Sequence, residues 1–289
     1  IYTEKSLNDE ILHFTDKSKK IFSILKNTKL KKILEIKLKN NKLVKFKNNI
    51  DYKKIIKEKY KLIINCDSRH ELSKKFFSNI IEKKYNSCAY TTLINHKKIR
   101  KNHDAIQIFT KNGPIAYLPV SETQTSVVYS FKKINHENEL KIKNLIKKFN
   151  PKYKIVNIED FGKFKLKSKH LRNYYNNNIL AFGDLLYKIH PLAGQGFNMS
   201  LRDIKVLTKL IDDRINIGLD IDHSICSEFE KTLRHKNLIF SMGIDWIYEI
   251  FNYESKLDNQ FLIKSVNIIG NNKLFNFLIK RFADSGLRF

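Results

Sequence analysis

Gly183-Asp184-Leu185-Leu186-Tyr187-Lys188-Ile189-His190-Pro191-Leu192-Ala193-Gly194-Gln195-Gly196-Phe197-Asn198-Met199-Ser200-Leu201-Arg202-Asp203 gathers three of the chain's nine glycines and one of its four prolines. The apolar run Ile179-Leu180-Ala181-Phe182 precedes it, and Leu201, Ile204, Leu207 and Ile211 follow at helical spacing. The pattern predicts a strand, an acidic turn, a glycine-rich loop and a helix, in that order. Asp184, at the end of a strand, can accept hydrogen bonds from a polyol. A Gly-Gln-Gly loop that opens a helix leaves backbone N–H groups free, backed by the positive end of the helix dipole. Together they suit a negatively charged or electron-accepting ligand lying over the loop.

The remaining composition narrows the classes. The 289 residues suit one large or two small domains with a sizeable core. No run approaches the roughly 20 apolar residues of a membrane-spanning helix. Cys66, Cys88 and Cys226 are scattered and odd in number, with no CxxC spacing. They predict small buried apolar residues rather than a disulfide framework or a metal site, and a reducing cytoplasm as the compartment. The formal charge of +26 is uneven. Residues 182–289 hold 14 Lys/Arg against 13 Asp/Glu, so nearly the whole excess lies before them. Nucleic acid is a poor fit. Only 8 of the 55 basic residues are Arg, the side chain best suited to bidentate phosphate and base contacts, and no nucleic-acid-binding signature occurs. A lysine-biased solvated surface is the bland reading, with attraction to an anionic membrane surface behind it.

The opening stretch resembles the second flavin-binding motif of the class A flavin monooxygenases, and in particular that of the ubiquinone-biosynthesis hydroxylases, the UbiH/UbiF/Coq6 family. Their pattern is Gly-Asp-Ala-Ala-His-x-Ile-His-Pro-Leu-Ala-Gly-Gln-Gly-x-Asn-x-Gly-x-Arg-Asp. Gly183, Asp184, Ile189 to Gly196, Asn198, Arg202 and Asp203 match it, while Leu185, Leu186, Tyr187 and Ser200 depart. Working outward, Tyr60 to Phe77 read as a buried strand ending in Asp67 and then a helix. This is similar to the family's ADGxxSxxR segment, with Ser68, Glu71 and Lys74 replacing the usual Gly, Ser and Arg. Asp67 is either a ligand contact or a cap on the following helix. Tyr85-Asn86-Ser87-Cys88-Ala89 resembles a family strand start. Ala105 to Val120, with Gly113-Pro114 and Leu118-Pro119, resembles the family's A-x-x-x-F-x-x-x-GPxAxLP segment, and Ser126–Phe131 returns as a hairpin.

Elsewhere, Lys32–Leu38 and Leu43–Phe46 alternate like short strands after a short helix marked by Ile21, Leu25 and Thr28. Residues 137–150 form a helix with Leu140, Leu145, Ile146 and Phe149 as its stripe. One or two strands fill 153–168, and Asn176-Asn177-Asn178 is a turn. A helix over 196–217 ends at Gly218. Helix pairs follow at 224–250 and 257–283, the second with Phe275, Phe277, Leu278 and Phe282 as core. Ala283–Leu287 again resembles the family's end.

The resemblance implies an α/β (α+β) fold: an incomplete Rossmann-like FAD-binding domain with an inserted mixed or antiparallel β-sheet substrate domain and a C-terminal helical region. The corresponding divisions are 1–84, 85–175, 176–217 and 218–289. No GxGxxG occurs in the chain, so the family's first dinucleotide motif is expected upstream of Ile1, on a longer protein. It implies FAD as cofactor, with Asp184 on a ribitol hydroxyl. Pro191, Leu192, Ala193, Gly194, Gln195, Gly196, Phe197 and Asn198 would approach the pyrimidine edge of the ring, and Asp67 would lie near the pyrophosphate. His190 is either a hydrogen-bonded core residue or an acid–base group beside the ring. Pro114, Ala116 and Leu118 would roof a substrate cavity. NAD(P)H and O2 would be co-substrates and a polyprenylphenol the acceptor of one oxygen atom, with a ubiquinone-biosynthetic assembly or the inner-membrane surface as partner. No protein nucleophile or metal is needed. Two rival readings share the motif: the same chemistry on another aromatic substrate, and a non-catalytic docking subunit, which the changes at 68, 71 and 74 would fit.

Overall fold

Between Ile106 and Lys132 bulky apolar residues alternate with small or polar ones, and that period of two folds as antiparallel strands. The computed structural model describes the chain except for residues 5–6, 8–9, 11–12, 14–21, 49, 133–137, 192–193 and 258–289, and except for the side chains of 250–257. In chain order the elements are β1 (Tyr2–Thr3), α1 (Asn27–Lys39), α2 (Tyr52–Lys57), β2 (Ile63–Asn65), α3 (Glu71–Phe76), β3 (Ile80–His96), β4 (Ile106–Thr110), β5 (Gly113–Pro119) and β6 (Gln124–Lys132). Then come α4 (Glu139–Lys148), β7 (Ile155–Ile158), β8 (Gly162–Leu171), β9 (Tyr175–Asn176), β10 (Ile179–Ala181), a 3-10 turn at Gly183–Leu185, β11 (Tyr187–Lys188), α5 (Gln195–Asn216) and α6 (His223–Leu257).

The chain divides into two compact units, Ile1–Ile50 with Cys88–Phe164 and Asp51–Ser87 with Lys165–Phe289. Sequence patterning sets divisions at 84/85, 175/176 and 217/218. The structural ones fall at 50/51, 87/88 and 164/165, the last two inside β3 and β8, which run from one unit into the other.

In the first unit β1, β4, β5, β6 and β3 lie side by side, with β7 also on β3. Ile115 and Tyr117 of β5 sit opposite Tyr129 and Val127 of β6, and all four are fully buried. Ile142, Ile146 and Phe149 of α4 and its end close this core, and the Tyr117 hydroxyl donates to the Ile146 carbonyl at 2.7 Å. Leu140, placed on the α4 stripe from sequence, is exposed, and Ile142 takes its place, because the stripe runs at i, i+4 and i+7 from 142. Lys32–Leu38 is helical, not a strand. Its apolar residues also repeat at three and four, and Lys, Leu and Glu are strong helix formers. Leu43–Phe46 forms no strand.

In the second unit β2 and β10 pair in parallel, Asn65 opposite Ala181, with β9 on the other side of β10. β11 pairs with β8. Just past the end of α5, Gly218 (φ +74°) turns the chain, and the N–H groups of Gly218 and Leu219 bond back to the carbonyls of Ile215 and Arg214. Residues 224–250 are one continuous helix rather than a pair. Gly243 stands inside it and does not break it, since a lone interior glycine costs only about 1 kcal/mol. The helix expected over 257–283, its aromatics, and Ala283–Leu287 lie outside the described residues, except for the last residue of α6.

Candidate functional site

Because β2 and β10 are parallel and in register, the chain leaves both at the same edge, where ligands collect in open α/β sheets. Asp67 follows β2 and Gly183-Asp184 follows β10. Gly183 has φ +59°, which lets the backbone turn at once into the 3-10 turn, and Asp184 stands exposed on it. Asp67 is exposed as well. Its carboxylate accepts the Arg69 N–H at 2.8 Å, and its carbonyl accepts the Ser73 hydroxyl. Buried Asn65 donates to Ser73 Oγ at 2.8 Å, so this turn is stapled from beneath. Asp67 does not cap α3; His70 does, accepting the Leu72 N–H.

Three of the four departures from the family pattern have structural jobs. Leu185 and Leu186 are buried in the core. Tyr187 is buried too, and its hydroxyl donates to Asp203 Oδ2 at 2.5 Å. Asn237 Nδ2 on α6 donates to both oxygens of Asp203, at 3.4 and 3.3 Å. One carboxylate on α5 thereby ties the loop to α6. Burial pushes that carboxyl up to about 6, against the hydrogen bonds that favour its charged form. Asp203 was visible at the motif's end, but its partners stand 16 and 34 residues away, so nothing in the sequence pointed to the cluster.

His190 is fully buried. Its ring meets the edge of Tyr85 at 4.9 Å and tilts against Tyr248 at 4.3 Å. Burial first, and then the Lys83 charge, push its imidazole down to about 4, so it is neutral at pH 7. Tyr85 in turn donates to Asp245.

Pro191 is half-buried, and its carbonyl accepts the Gly194 N–H at 3.1 Å. Leu192 and Ala193 lie outside the described residues. Gly194, the residue before α5, has φ +60°, and among the described residues a Cβ there would meet nothing within 4 Å. A Cβ on Gly196 would approach, among the described residues, only Ile189, at 3.7 Å. No side chain caps α5 and no acid stands in its first turn. Phe197 and Asn198 are exposed, and Asn198 Nδ2 donates to Gln195 Oε1 at 3.3 Å. This donor set fits the pyrimidine edge of a flavin: uncapped N–H groups at a helix N-terminus, space over the loop glycine, and an exposed carboxylate ten residues earlier, on the turn after β10.

Pro114, Ala116 and Leu118 lie on β5 of the first unit. They alternate with core residues Ile115 and Tyr117, so they share the opposite face of that sheet, with Ala116 beside Val128 and Leu118 beside Ser126. Among the described residues no group of three or more His, Cys, Asp or Glu could hold a metal ion, and no helix is long and apolar enough to cross a membrane.

A squalene epoxidase family model matches residues 59–256. Among curated proteins, the mitochondrial ubiquinone biosynthesis monooxygenase COQ6 of Caenorhabditis elegans is 22% identical, over 67% of this chain and 54% of that protein. The 3-demethoxyubiquinol 3-hydroxylase of Escherichia coli is 26% identical, over 50% of this chain and 39% of its own length. The chain spans about half the length, or less, of the curated relatives it matches. Among solved structures, p-nitrophenol 4-monooxygenase PnpA from Pseudomonas putida superposes with a TM-score of 0.63 at 11% identity, covering 79% of this chain and 60% of that one. HpxO of Klebsiella pneumoniae, complexed with FAD and uric acid, gives 0.59 at 11%, covering 78% and 60%. The relatives bear out the resemblance to the ubiquinone-biosynthesis hydroxylases, and the structures bear out the α/β fold of the FAD-dependent monooxygenases.

Proposed function

We propose that this chain, which belongs to the squalene epoxidase family, carries the flavin-ring end of an FAD-dependent monooxygenase that hydroxylates the aromatic ring of a polyprenylated ubiquinone precursor, using NAD(P)H and O2. The observation that carries the reading is the pairing of exposed Asp184 with the uncapped start of α5 on one loop. FAD, when bound, supplies the transfer of electrons from NAD(P)H to O2 and of one oxygen atom to the substrate ring.

The residues of this chain do the rest. Asp184 accepts hydrogen bonds from the ribitol. The N–H groups of Gln195, Gly196 and Phe197 favour negative charge at the pyrimidine edge, and the helix dipole adds to them. Gly194 and Gly196 allow the close backbone approach. His190, buried and neutral, holds the loop from within against Tyr85 and Tyr248 and moves no proton near pH 7. Pro114, Ala116 and Leu118 offer a half-apolar sheet face on which an oily ring can be held away from water.

The test is FAD uptake by protein expressed from the complete reading frame, followed by visible absorption. Flavin bands should appear, bleach with NAD(P)H and return in air. Asp184→Ala should weaken FAD binding by about 10- to 100-fold, the value of a charge-assisted hydrogen bond, and leave thermal stability unchanged, because the carboxylate is exposed. A folded wild-type protein that takes up no FAD, or a variant that binds it as tightly as wild type, would defeat the reading.

A further inference from the structure

β8 reads Gly162-Lys163-Phe164-Lys165-Leu166-Lys167-Ser168-Lys169-His170-Leu171. Leu166, Ser168 and His170 are buried, so Lys165, Lys167 and Lys169 share the other face. In the register with β11, Lys188 stands directly opposite Lys169. Like charges in directly opposed positions of an antiparallel pair destabilise it. Among the described residues neither lysine makes an ion pair. Lys167 does, with Glu82 of β3 at 3.1 Å. Glu82 also feels Lys84 and Lys169, and these together hold its carboxyl below the usual range. Lys169 is half-buried. Burial, then the charges of Lys167 and Lys188, push its ammonium below the ordinary lysine value. Three lysines, Lys84, Lys167 and Lys169, therefore act on one carboxylate, and Lys188 adds its charge against Lys169. Lys188 lies inside the candidate flavin loop, four residues after Asp184, and its neighbour Ile189 faces Gly196.

We propose that Lys167, Lys169 and Lys188 form a binding site for the pyrophosphate of a dinucleotide beside the flavin loop. A cross-strand lysine pair spans about 5 Å and a same-face pair along a strand about 7 Å, which suits two linked phosphates. A dianion or trianion there relieves the repulsion, so the crowding that costs stability in the free protein becomes affinity in the complex. The anion site stands on these lysines alone. Its assignment to the dinucleotide reductant rests on the function proposed above.

The experiment is thermal unfolding of the full chain with and without inorganic pyrophosphate, backed by calorimetric titration of pyrophosphate and of NADPH. Without anion, Lys169→Gln/Lys188→Gln should melt about 1–3 °C higher than wild type, because repulsion is removed. Pyrophosphate should raise the wild-type melting temperature and not the variant's, and both affinities should fall at least 10-fold in the variant. Lys31→Gln/Lys32→Gln on exposed α1 makes the same change in net charge and should respond like wild type. The proposal is overturned by a double variant that keeps the pyrophosphate response, or by an α1 variant that loses it equally. It is also overturned if Lys169 and Lys188 govern capture by phosphatidylserine vesicles while neither pyrophosphate nor NADPH binds. FAD uptake is measured separately, so failure of the flavin reading leaves the pyrophosphate result intact and interpretable.

Discussion

Asp203→Asn isolates the energetics of the carboxylate beneath the loop. The side chain is 1% exposed and its carboxyl is pushed from the ordinary 3.8 up to about 6. An acid whose folded value is raised binds its proton more tightly in the folded state. The stability that this proton confers is present below about pH 4 and is lost as pH rises through 6. The displacement corresponds to about 3 kcal/mol at 1.36 kcal/mol per pH unit. Asparagine keeps the shape and an oxygen for the Tyr187 hydroxyl but carries no charge. Its altered bonding to Asn237 shifts the variant by an amount that does not depend on pH. The stability of the variant relative to wild type should therefore climb by about 2 kcal/mol between pH 4 and pH 7. Denaturant unfolding followed by circular dichroism at four pH values reads this directly, and taking the difference removes every other titrating group. A difference that stays flat across the interval would refute the argument that burial outweighs the hydrogen bonds from Tyr187 and Asn237.

Buried His170 and His190 are both pushed from 6.5 down to about 4, so the unfolded chain takes up their protons first and the stability they confer, full above about pH 6.5, is lost as pH falls toward 4. Ring resonances in NMR should titrate with midpoints near 4, and a midpoint above 6 for His190 would contradict its interior place. Gly113→Ala puts a Cβ 1.9 Å from the Ser130 carbonyl oxygen at φ +123°, and should cost about 3 kcal/mol or more, seen as lost expression or a sharply lower melting temperature. Gly194→Ala meets open space among the described residues at φ +60° and should cost only about 1–2 kcal/mol of backbone strain; equal losses at the two glycines would overturn the contrast.

What could be read in advance follows from where the information sits. The order of strand, turn, loop and helix around Asp184 was legible because glycine and proline at fixed spacing constrain the backbone locally. β4 to β6 were legible because one face is buried and the period of two survives intact. Lys32–Leu38 was not, since its residues satisfy both periods and no buried partner on α1 arbitrates between them. The anchoring of the loop was hidden for another reason. Tyr187, Asp203 and Asn237 meet from three elements, and each alone is an ordinary polar or aromatic residue. The crowding of Lys169 with Lys188 was likewise invisible until the register of β8 and β11 set them opposite each other.

The pairing of β2 with β10 also governs how the chain is made. Ile63 meets Ile179, 116 residues later, so on a ribosome the first strand waits until those residues have been made. The segment between, from Cys88 to Phe164, owns most of its unit's strands and can organise while synthesis continues. Its two ends lie side by side once folded, with Tyr90 against Phe161 at 6.2 Å and Thr91 bonded to the Gly162 carbonyl. Completion of that segment therefore shortens the later loop closure to a few tens of residues, saving on the order of 1 kcal/mol of chain entropy. The parallel pair that precedes Asp67 and Asp184 thus closes its long loop more cheaply once the segment between its strands has folded.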